Sequence, residues 1–281
     1  MNSKYSYVVI SLALSLICIR GYSQSNTRGV SVDTSKTAVT HKLLLIPFNT
    51  KMCMSEIGKE VNASTHLSYD EITQQFRSQL DLAVYLAFKK NYAPVSLLQG
   101  KYRSDSVLNY IYTSTSYKYD LVPGATADAG AKDKNKTGRY VQNGQLEVPV
   151  DYSARFMNIS VTDAHLLTNL YKRYHTEAFV FINELDIKNV SNQTENLSDD
   201  TYRRQVDVHF SIIDKEGKSI AKGLASTYFP FRENDPKQIG EKYFSLVANA
   251  IVKDYAQGLL LANSTEQKKQ AMQSKSTVSP K

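Results

Sequence analysis

The chain has 281 residues, of which 42% are hydrophobic, with 34 Lys and Arg, 27 Asp and Glu, a net charge of +7, two Cys and 19 Tyr. Length and apolar content suffice for one large or two small globular cores, which excludes wholesale disorder, collagen-like repeats and disulfide-dense scaffolds. The excess of positive charge is small, and the sequence contains no run of five or six basic residues. No nucleic-acid partner is therefore expected.

The first 23 residues have the pattern of a secretory signal peptide. Lys4 gives a short positive region, an apolar stretch (VVISLALSLICI) follows, and Gly21 and Ser23 place small residues before a cleavage site at Gln24. The stretch is shorter than the roughly 20 residues that cross a bilayer, which disfavours an N-terminal membrane anchor. We therefore expect an exported protein, periplasmic or associated with the outer membrane, or alternatively secreted, with at most peripheral membrane contact.

The two cysteines, Cys18 and Cys53, bear on compartment and chemistry in different ways. Lipid attachment at Cys18 is an alternative to cleavage after Ser23, but Ile17 stands where a lipobox needs a small residue. Cleavage would leave Cys53 without an intramolecular disulfide partner. We expect Cys53 to be a buried small hydrophobe, since a nucleophilic thiol would need a His partner of which the sequence gives no local sign.

Both ends of the remaining chain are predicted to be flexible. Residues 24–40 are polar and lack periodicity, as expected of a linker, and residues 264–281 suit a disordered, solvated tail. Between them we predict a single α/β domain, residues 41–263, with an exposed insertion near 114–144 that is rich in Gly and Lys.

Strand-like and helix-like segments alternate through this domain. Apolar runs or alternation predict strands at 42–48, 94–98, 146–150, 156–161 and 178–187, and a hairpin over 206–229 with a turn at 214–217. Caps and apolar periodicity predict helices at 69–90, after Ser104, at 162–174 with Thr162 or Asp163 as the cap, and at 236–261. This order predicts an α/β fold: a mixed sheet with flanking helices, ending in an antiparallel hairpin and a long C-terminal helix.

Four of these segments resemble an α/β module of the bacterial cell envelope. They are the opening strand that ends in Pro-Phe (43–48), the later strand 177–185, the hairpin strand with its Asp-Lys-Glu-Gly turn (206–217), and the terminal amphipathic helix. They are similar to elements of the curli-secretion subunit, the lipoprotein activators of penicillin-binding proteins and the amino-terminal domain of TolB. The resemblance implies a periplasmic, non-enzymatic domain that works by contact with other envelope proteins. Contact with further copies of the chain, in a homo-oligomer, is an alternative.

No catalytic, cofactor-binding or metal-binding residue is predicted from motifs. The chain has no G-x-S-x-G elbow, Walker loop or G-x-G-x-x-G, and its histidines show no H-x-x-x-H or H-E-x-x-H spacing. We expect each histidine to be a surface or hydrogen-bonded side chain: His41, His66, His165, His175 and His209. The protein is therefore predicted not to be an enzyme and to need no cofactor.

Glu184 and Asp186 are the residues that best support an alternative. They are two apart on a predicted strand and so point to the same face, which suits an acid pair or a cation site, although such pairs more often lie on a solvated face. If the two carboxylates converged with a His in a deep pocket, a periplasmic hydrolase would be favoured over the non-catalytic role.

A cluster of tyrosines supports a third possibility. Tyr110, Tyr112, Tyr117 and Tyr119 lie near the start of the insertion, and tyrosine is a common contact residue at interfaces. If these side chains lined one concave face, a module that binds carbohydrate or another small ligand would be favoured. The leading hypothesis remains an exported envelope protein that binds protein partners or assists assembly or secretion without catalysis.

Overall fold

A six-stranded mixed sheet organises the protein, and its central strands follow the apolar runs of the sequence. The computed structural model describes residues 41–122, 140–142, 145–147, 155–191 and 202–276, which belong to one unit, Thr40–Lys281. Within these ranges the strands are β1 (Lys42–Ile46), β2 (Cys53–Ser55), β3 (Ala93–Ser96), β4 (Thr115–Leu121), β5 (Tyr140–Gln142), β6 (Gln145–Glu147), β7 (Arg155–Val161), β8 (Ala178–Ser191), β9 (Tyr202–Asp214) and β10 (Ser219–Pro230).

The main sheet has the order β10-β9-β8-β1-β3, and β2 pairs with β8 as well. β1 is parallel to β3 and β8, whereas β8, β9 and β10 run antiparallel to one another. Leu43 and Leu44 of β1 are both fully buried, because a central parallel strand is covered on both faces. A second antiparallel ribbon, β4 with β7, lies outside this sheet, and β5 pairs with β6.

Several helices begin directly after a residue whose side chain caps them. Within the described ranges they are α1 (Gly58–Thr65), α2 (Tyr69–Lys89), α3 (Asp105–Thr113), α4 (Leu166–Tyr174), α5 (Pro236–Ile239) and α6 (Ser245–Ser276), with a π-helical turn (Gly240–Phe244) joining the last two. Ser68 and Glu71 form the predicted capping box of α2, and the side chain of Asp235 caps α5.

Two apolar clusters fill the space on the two faces of the sheet. On one face α2 packs against α6 and the π-helical turn before it, with ring centroids 5.6 Å apart for Phe88 and Tyr255 of α6 and 6.0 Å apart for Phe76 and Phe244 of the turn. On the other face α3, α4 and part of β7 cover residues such as Phe181. The sheet therefore has helices on both sides, and the predicted α/β class, the C-terminal hairpin and the long final helix are confirmed.

The boundary of the predicted insertion is wrong at its start. Residues 115–121 form β4, which pairs along its length with β7. Half-buried Thr115 and Tyr117 alternate with exposed Ser116 and Lys118, which is the alternation expected of a strand. The half-buried positions are occupied here by Thr and Tyr rather than by aliphatic residues. The Gly- and Lys-rich core of the insertion, 124–138, lies outside the described residues.

The predicted end of the last helix is also wrong. α6 continues to Ser276 through the segment that we expected to be a disordered tail. Residues 264–276 contain neither Gly nor Pro and include three Gln, three Lys and one Ala, residue types that favour helix.

One helix start also differs from the sequence prediction. α4 begins at Leu166 rather than 162, because the Asp163 carboxylate accepts the His165 N–H at 2.8 Å in a turn before the helix. The short elements β2 and α1 lie in a stretch for which no strand or helix is predicted.

The predicted signal peptide and linker, residues 1–40, lie outside the described residues, as do residues 192–201. Among the helices that the structure describes, none combines the length and the apolar character needed to cross a membrane.

Candidate functional site

A β-bulge in β8 determines which way its acidic residues point. Ile182 pairs with Phe210 of β9, and the next pair is Glu184 with His209, so Asn183 is an extra residue in the ladder. Phe181 before the bulge and Glu184 after it therefore lie on the same face of the sheet. Leu185 belongs to the apolar cluster on the opposite face.

The side chain of Asn183 anchors the β4–β7 ribbon to this face. Its amide nitrogen donates to the carbonyl oxygen of Met157 and to Oγ of Ser211, both at 2.8 Å. Ser211 in turn donates to the side-chain oxygen of Asn158 at 2.8 Å. These buried hydrogen bonds fix the ribbon against β8 and β9.

A pocket of about 740 Å³ lies between the main sheet and the end of the ribbon. Its lining includes residues from β2, β4, β7, β8, β9 and β10, among them Cys53, Tyr119, Glu184, Asp186, Lys188, Asp207 and His209. Residues 178–181 of β8 pair with β1, whereas residues 185–187 pair with β2. The pocket therefore lies beyond the carboxyl end of β1, the position at which open α/β sheets commonly bind ligands.

His209 lies between the two acidic residues of β8. Its Nε2 is 3.6 Å from Oε2 of Glu184 and 3.6 Å from Oδ2 of Asp186. Its Nδ1 accepts a hydrogen bond from the backbone N–H of Met157 at 2.7 Å. Potential ligand atoms of the three side chains all lie within 4.8 Å of one another, so distance alone would allow them to surround a cation.

The pKa values of the two carboxyl groups are displaced in opposite directions. Burial and the negative charge of Asp186 raise the pKa of Glu184, against the opposing effects of His209 and Tyr119. Burial also acts to raise the pKa of Asp186, but the neighbouring His209 and Lys188 outweigh it and hold that pKa below its usual value. Glu184 therefore keeps its proton to a higher pH than Asp186 does.

Lys188 joins the acidic residues of two neighbouring strands. Its Nζ lies 3.2 Å from Oδ2 of Asp186 and 3.1 Å from Oδ2 of Asp207. These two carboxylates raise the pKa of Lys188 although its partial burial opposes the charge. Asp207 lines the pocket as well, but it also accepts from Ser226 and from Gln205, so it has more structural partners than Asp186.

The structure places Glu184 and Asp186 on one face, as their spacing predicts. The expectation that this face is solvated is wrong, since only 4% of Glu184 and 8% of Asp186 is exposed. β8 lies between β9 on one side and β1 and β2 on the other, so it is a central strand and its polar face is covered by the ribbon.

Four of the five histidines have local structural contacts outside this site. His41 pairs with Glu177 at 2.9 Å near the surface, and His165 is the N-cap residue of α4. His66 and His175 adopt left-handed backbone conformations at helix C-termini. His209 is the histidine that the structure brings to the acidic pair.

The tyrosine cluster does not line one concave face. Tyr110 donates to Asp163 at 2.7 Å and Tyr112 to the carbonyl oxygen of Pro47 at 2.7 Å, while Tyr117 packs against the apolar cluster of α3 and α4. Of the four, Tyr119 lines the pocket. The structure therefore does not show these four tyrosines on one concave face, the arrangement that would favour a carbohydrate-binding module.

Cys53 lies at the edge of the pocket but packs against the apolar cluster of α2 and α6. Burial raises the pKa of its thiol to about 12, although a hydrogen bond with Thr73 opposes the effect. A thiol with this pKa is almost entirely protonated at neutral pH and is a poor nucleophile, in keeping with the predicted small hydrophobe.

Sequence reasoning did not assign His209, Lys188 or Tyr119 to the site. A partial signal for His209 was present, because a hairpin closed symmetrically around the polar stretch 191–200 would bring Glu184 opposite residue 207, two residues from His209 and on the same face. The positions of Tyr119 and Met157 depend on how the ribbon docks, for which the sequence offers no comparable symmetry.

Comparison with known proteins adds no family to this description: no protein-family model matches the chain, and neither does any curated protein.

Proposed function

We propose that the protein is a hydrolase that works by general acid–base catalysis, with Glu184 as the acid and Asp186 as the base. The observation that carries this proposal is the convergence of Glu184, Asp186 and His209 in one pocket, with side-chain N and O atoms of the three residues within 4.8 Å of one another. In keeping with it, the pKa of Glu184 is raised by burial and that of Asp186 is lowered by its neighbours. Pairs of titratable groups whose environments separate their pKa values are characteristic of acid–base catalysts. This arrangement is also the condition under which we expected a hydrolase rather than a non-catalytic protein.

In the proposed reaction two proton transfers accompany cleavage of one bond. Glu184 donates its proton to the leaving atom of the substrate, while Asp186 accepts a proton from the attacking water. The leaving group departs protonated and the water oxygen remains on the other product. Exchange with solvent then returns a proton to Glu184 and removes one from Asp186.

Neighbouring side chains support these roles. Lys188 favours the ionised form of Asp186 that a base requires. The hydroxyl of Tyr119 donates to Glu184, so it stabilises the carboxylate that Glu184 becomes after it has given up its proton.

The experiment is a screen of the purified protein against chromogenic esters, phosphate esters and glycosides. We expect hydrolysis of at least one class with a bell-shaped pH dependence, and a loss of about 100-fold or more in kcat for Glu184→Gln and for Asp186→Asn. Glu216→Gln, in the exposed turn between β9 and β10, is the matched control and should leave kcat unchanged. No turnover in any class, or full activity in both active-site variants, would contradict the proposal.

Export to the cell envelope, and action there on or with envelope proteins, is a separate proposal that rests on the signal-peptide pattern and the resemblance described above. Copurification of the protein from envelope extracts, with partners identified by mass spectrometry, tests the non-catalytic binding role. Cell fractionation with and without Cys18→Ser separates a lipid-anchored form from a free one.

A further inference from the structure

Arg155, the first residue of β7, places a positive charge on the wall of the pocket. It is half-buried and pairs with Leu121 at one end of the β4–β7 ribbon. Among the residues that the structure describes, its guanidinium group has neither a carboxylate at ion-pair distance nor a hydrogen-bond acceptor. A cation that is partly removed from water without an acceptor is unfavourable, so an anion bound in the pocket would stabilise it.

The buried arginines elsewhere in the protein differ from Arg155 because they have protein acceptors. Arg77 donates to the carbonyl oxygen of Phe48 at 2.8 Å, and Arg204 donates to the carbonyl oxygen of Glu233 at 2.8 Å. These two guanidinium groups hold parts of the fold together. Arg155 has no comparable bond within the described chain, and its position in a pocket leaves it open to a ligand.

The other basic groups of the pocket are engaged by the protein itself. Lys188 lies 3.2 Å from Asp186 and 3.1 Å from Asp207. Nδ1 of His209 accepts a backbone hydrogen bond at 2.7 Å, and its Nε2 is directed to the acidic pair. Within the described lining, Arg155 is therefore the basic side chain that remains for a ligand.

The acidic and basic sides of the pocket belong to different layers. Glu184, Asp186 and Asp207 lie on strands of the main sheet, whereas Arg155 lies on the ribbon. Lys188 balances part of the acidic charge on the sheet itself. A substrate with one negative group would therefore place that group against the ribbon, with its scissile bond against Glu184 and Asp186.

The rest of the lining leaves room for an apolar part of such a substrate. Met54 is 60% exposed and Leu224 is half-buried, and both line the pocket. Glu56 also lines it, but its carboxylate accepts the backbone N–H of Asn189 at 2.8 Å. A volume of about 740 Å³ suits a small organic molecule rather than a single ion.

We propose that Arg155 binds an anionic group of the substrate, a carboxylate or a phosphate, and thereby makes the enzyme selective for anionic over neutral substrates. This role rests on the proposed hydrolase function and adds the class of substrate to it. The planar guanidinium group presents two parallel N–H donors, which match two oxygen atoms of either anionic group. Arg155 binds and orients the substrate and takes no part in the proton transfers.

Anion binding is tested on the full chain without turnover. Succinate and inorganic phosphate are titrated separately at constant ionic strength, and the Nε–H NMR signal of Arg155, assigned by its loss in Arg155→Gln, is followed. We expect at least one of the two anions to shift this signal to saturation. A signal that neither anion shifts would overturn the proposal.

Calorimetry of the anion that binds more tightly measures the contribution of the guanidinium group. Arg155→Gln should weaken binding about tenfold or more, and Arg155→Lys, which keeps the charge but not the paired donors, should weaken it less. Arg103→Gln, at an exposed position before α3, is the matched control and should bind like the wild type. Equal affinities of the wild type and Arg155→Gln would refute the role of Arg155.

Paired substrates test the selectivity. p-Nitrophenyl hemisuccinate is compared with p-nitrophenyl butyrate, and p-nitrophenyl glucuronide with the glucoside, since the members of each pair differ mainly in a carboxylate. The charged member should have the higher kcat/KM, and Arg155→Gln should lower that value about tenfold or more while it changes the neutral member little. For phosphate esters, which are themselves anionic, the same loss in Arg155→Gln is the test.

The outcomes separate this proposal from the hydrolase function. Thermal unfolding verifies that Arg155→Gln and Arg155→Lys are folded. Turnover with an unchanged substrate preference in folded Arg155→Gln would reject the role of Arg155 and leave the hydrolase function intact. No turnover of any substrate would contradict the hydrolase function, whereas the anion titrations would still decide whether Arg155 binds anions.

Discussion

The hydroxyl group of Tyr119 donates to both carboxylate oxygens of Glu184, at 3.0 and 2.9 Å. The two residues belong to different layers, since Tyr119 lies on the β4–β7 ribbon and Glu184 on the main sheet. A donor to a carboxylate favours its ionised form, so this contact opposes the burial that raises the pKa of Glu184. The acidity of Glu184 therefore depends on the ribbon being in place.

Replacement of Tyr119 by Phe should raise the pKa of Glu184 further, because the opposing donor is lost while burial remains. The measurement is the carboxyl ¹³C shift of Glu184 as a function of pH. Tyr228→Phe, on exposed β10 surface, is the control and should leave the titration unchanged. A lower pKa in Tyr119→Phe would show that the hydroxyl does not stabilise the carboxylate.

A second prediction concerns Asp81, which is buried on α2 and accepts from Ser96 at 2.7 Å and from Gln99 at 2.9 Å. Burial raises its pKa to about 6, against the effect of these hydrogen bonds and of Arg77. The folded protein thus holds this proton more tightly than the unfolded chain. The associated stabilisation is complete below the unfolded pKa and is lost as the pH rises through about 6.

Asp81→Asn removes this titration. The free energy of unfolding of the variant, relative to wild type, should therefore increase by about 2 kcal/mol between pH 4 and pH 7. Urea denaturation at several pH values measures it. Asn263→Ala, which changes an exposed residue of α6 that is not titratable, should show a difference that does not change with pH, and a pH-independent difference for Asp81→Asn would contradict the prediction.

Gly258 lies where α6 crosses β10, and a Cβ atom there would overlap the carbonyl oxygen of Ile220. In an unhindered helix Gly→Ala stabilises by about 1 kcal/mol. Here we expect Gly258→Ala to destabilise by about 1–3 kcal/mol, because the obstacle is backbone and the helix must move away from the strand. Thermal and urea unfolding decide the sign, with Asn263→Ala on the exposed part of the same helix as the comparison. A stabilised Gly258→Ala would show that α6 is not held this closely.

The thiol of Cys53 should be unreactive in the folded protein. In a chain that carries Cys18→Ser, Ellman's reagent at neutral pH should modify Cys53 much more slowly than free cysteine, since burial raises its pKa to about 12. After unfolding in urea the reaction should become fast. Rapid modification of the native protein would mean that the thiol is accessible and ionised.

The elements that the sequence predicts well are those with local causes. The capping box at Ser68 and Glu71, the cap at Ser104 and the Asp235-Pro236 pair mark helix starts within one residue, because capping depends on neighbours along the chain. The buried run of β1 and the alternation of β9 are equally local. Together these elements predict the α/β class.

The candidate site is predictable only in part, because it depends on register. Glu184 and Asp186 are two residues apart on a strand, so they share one face of the sheet regardless of how the other elements pack. That they meet His209 depends on the bulge at Asn183 and on the exact pairing of β8 with β9. The contact of Met157 with His209 requires the docking of a ribbon whose first strand is too polar to stand out in the sequence.

The bulge at Asn183 also affects how this chain should be compared with related sequences. Before Asn183 the odd-numbered residues of β8 face the pocket side, and after it the even-numbered residues do. A related protein whose β8 lacks the bulge would have one residue fewer at this point. Its equivalents of Glu184 and Asp186 would still face the pocket. Alignments should therefore place a single-residue gap at position 183, and without it the acidic pair would be matched to residues of the apolar face.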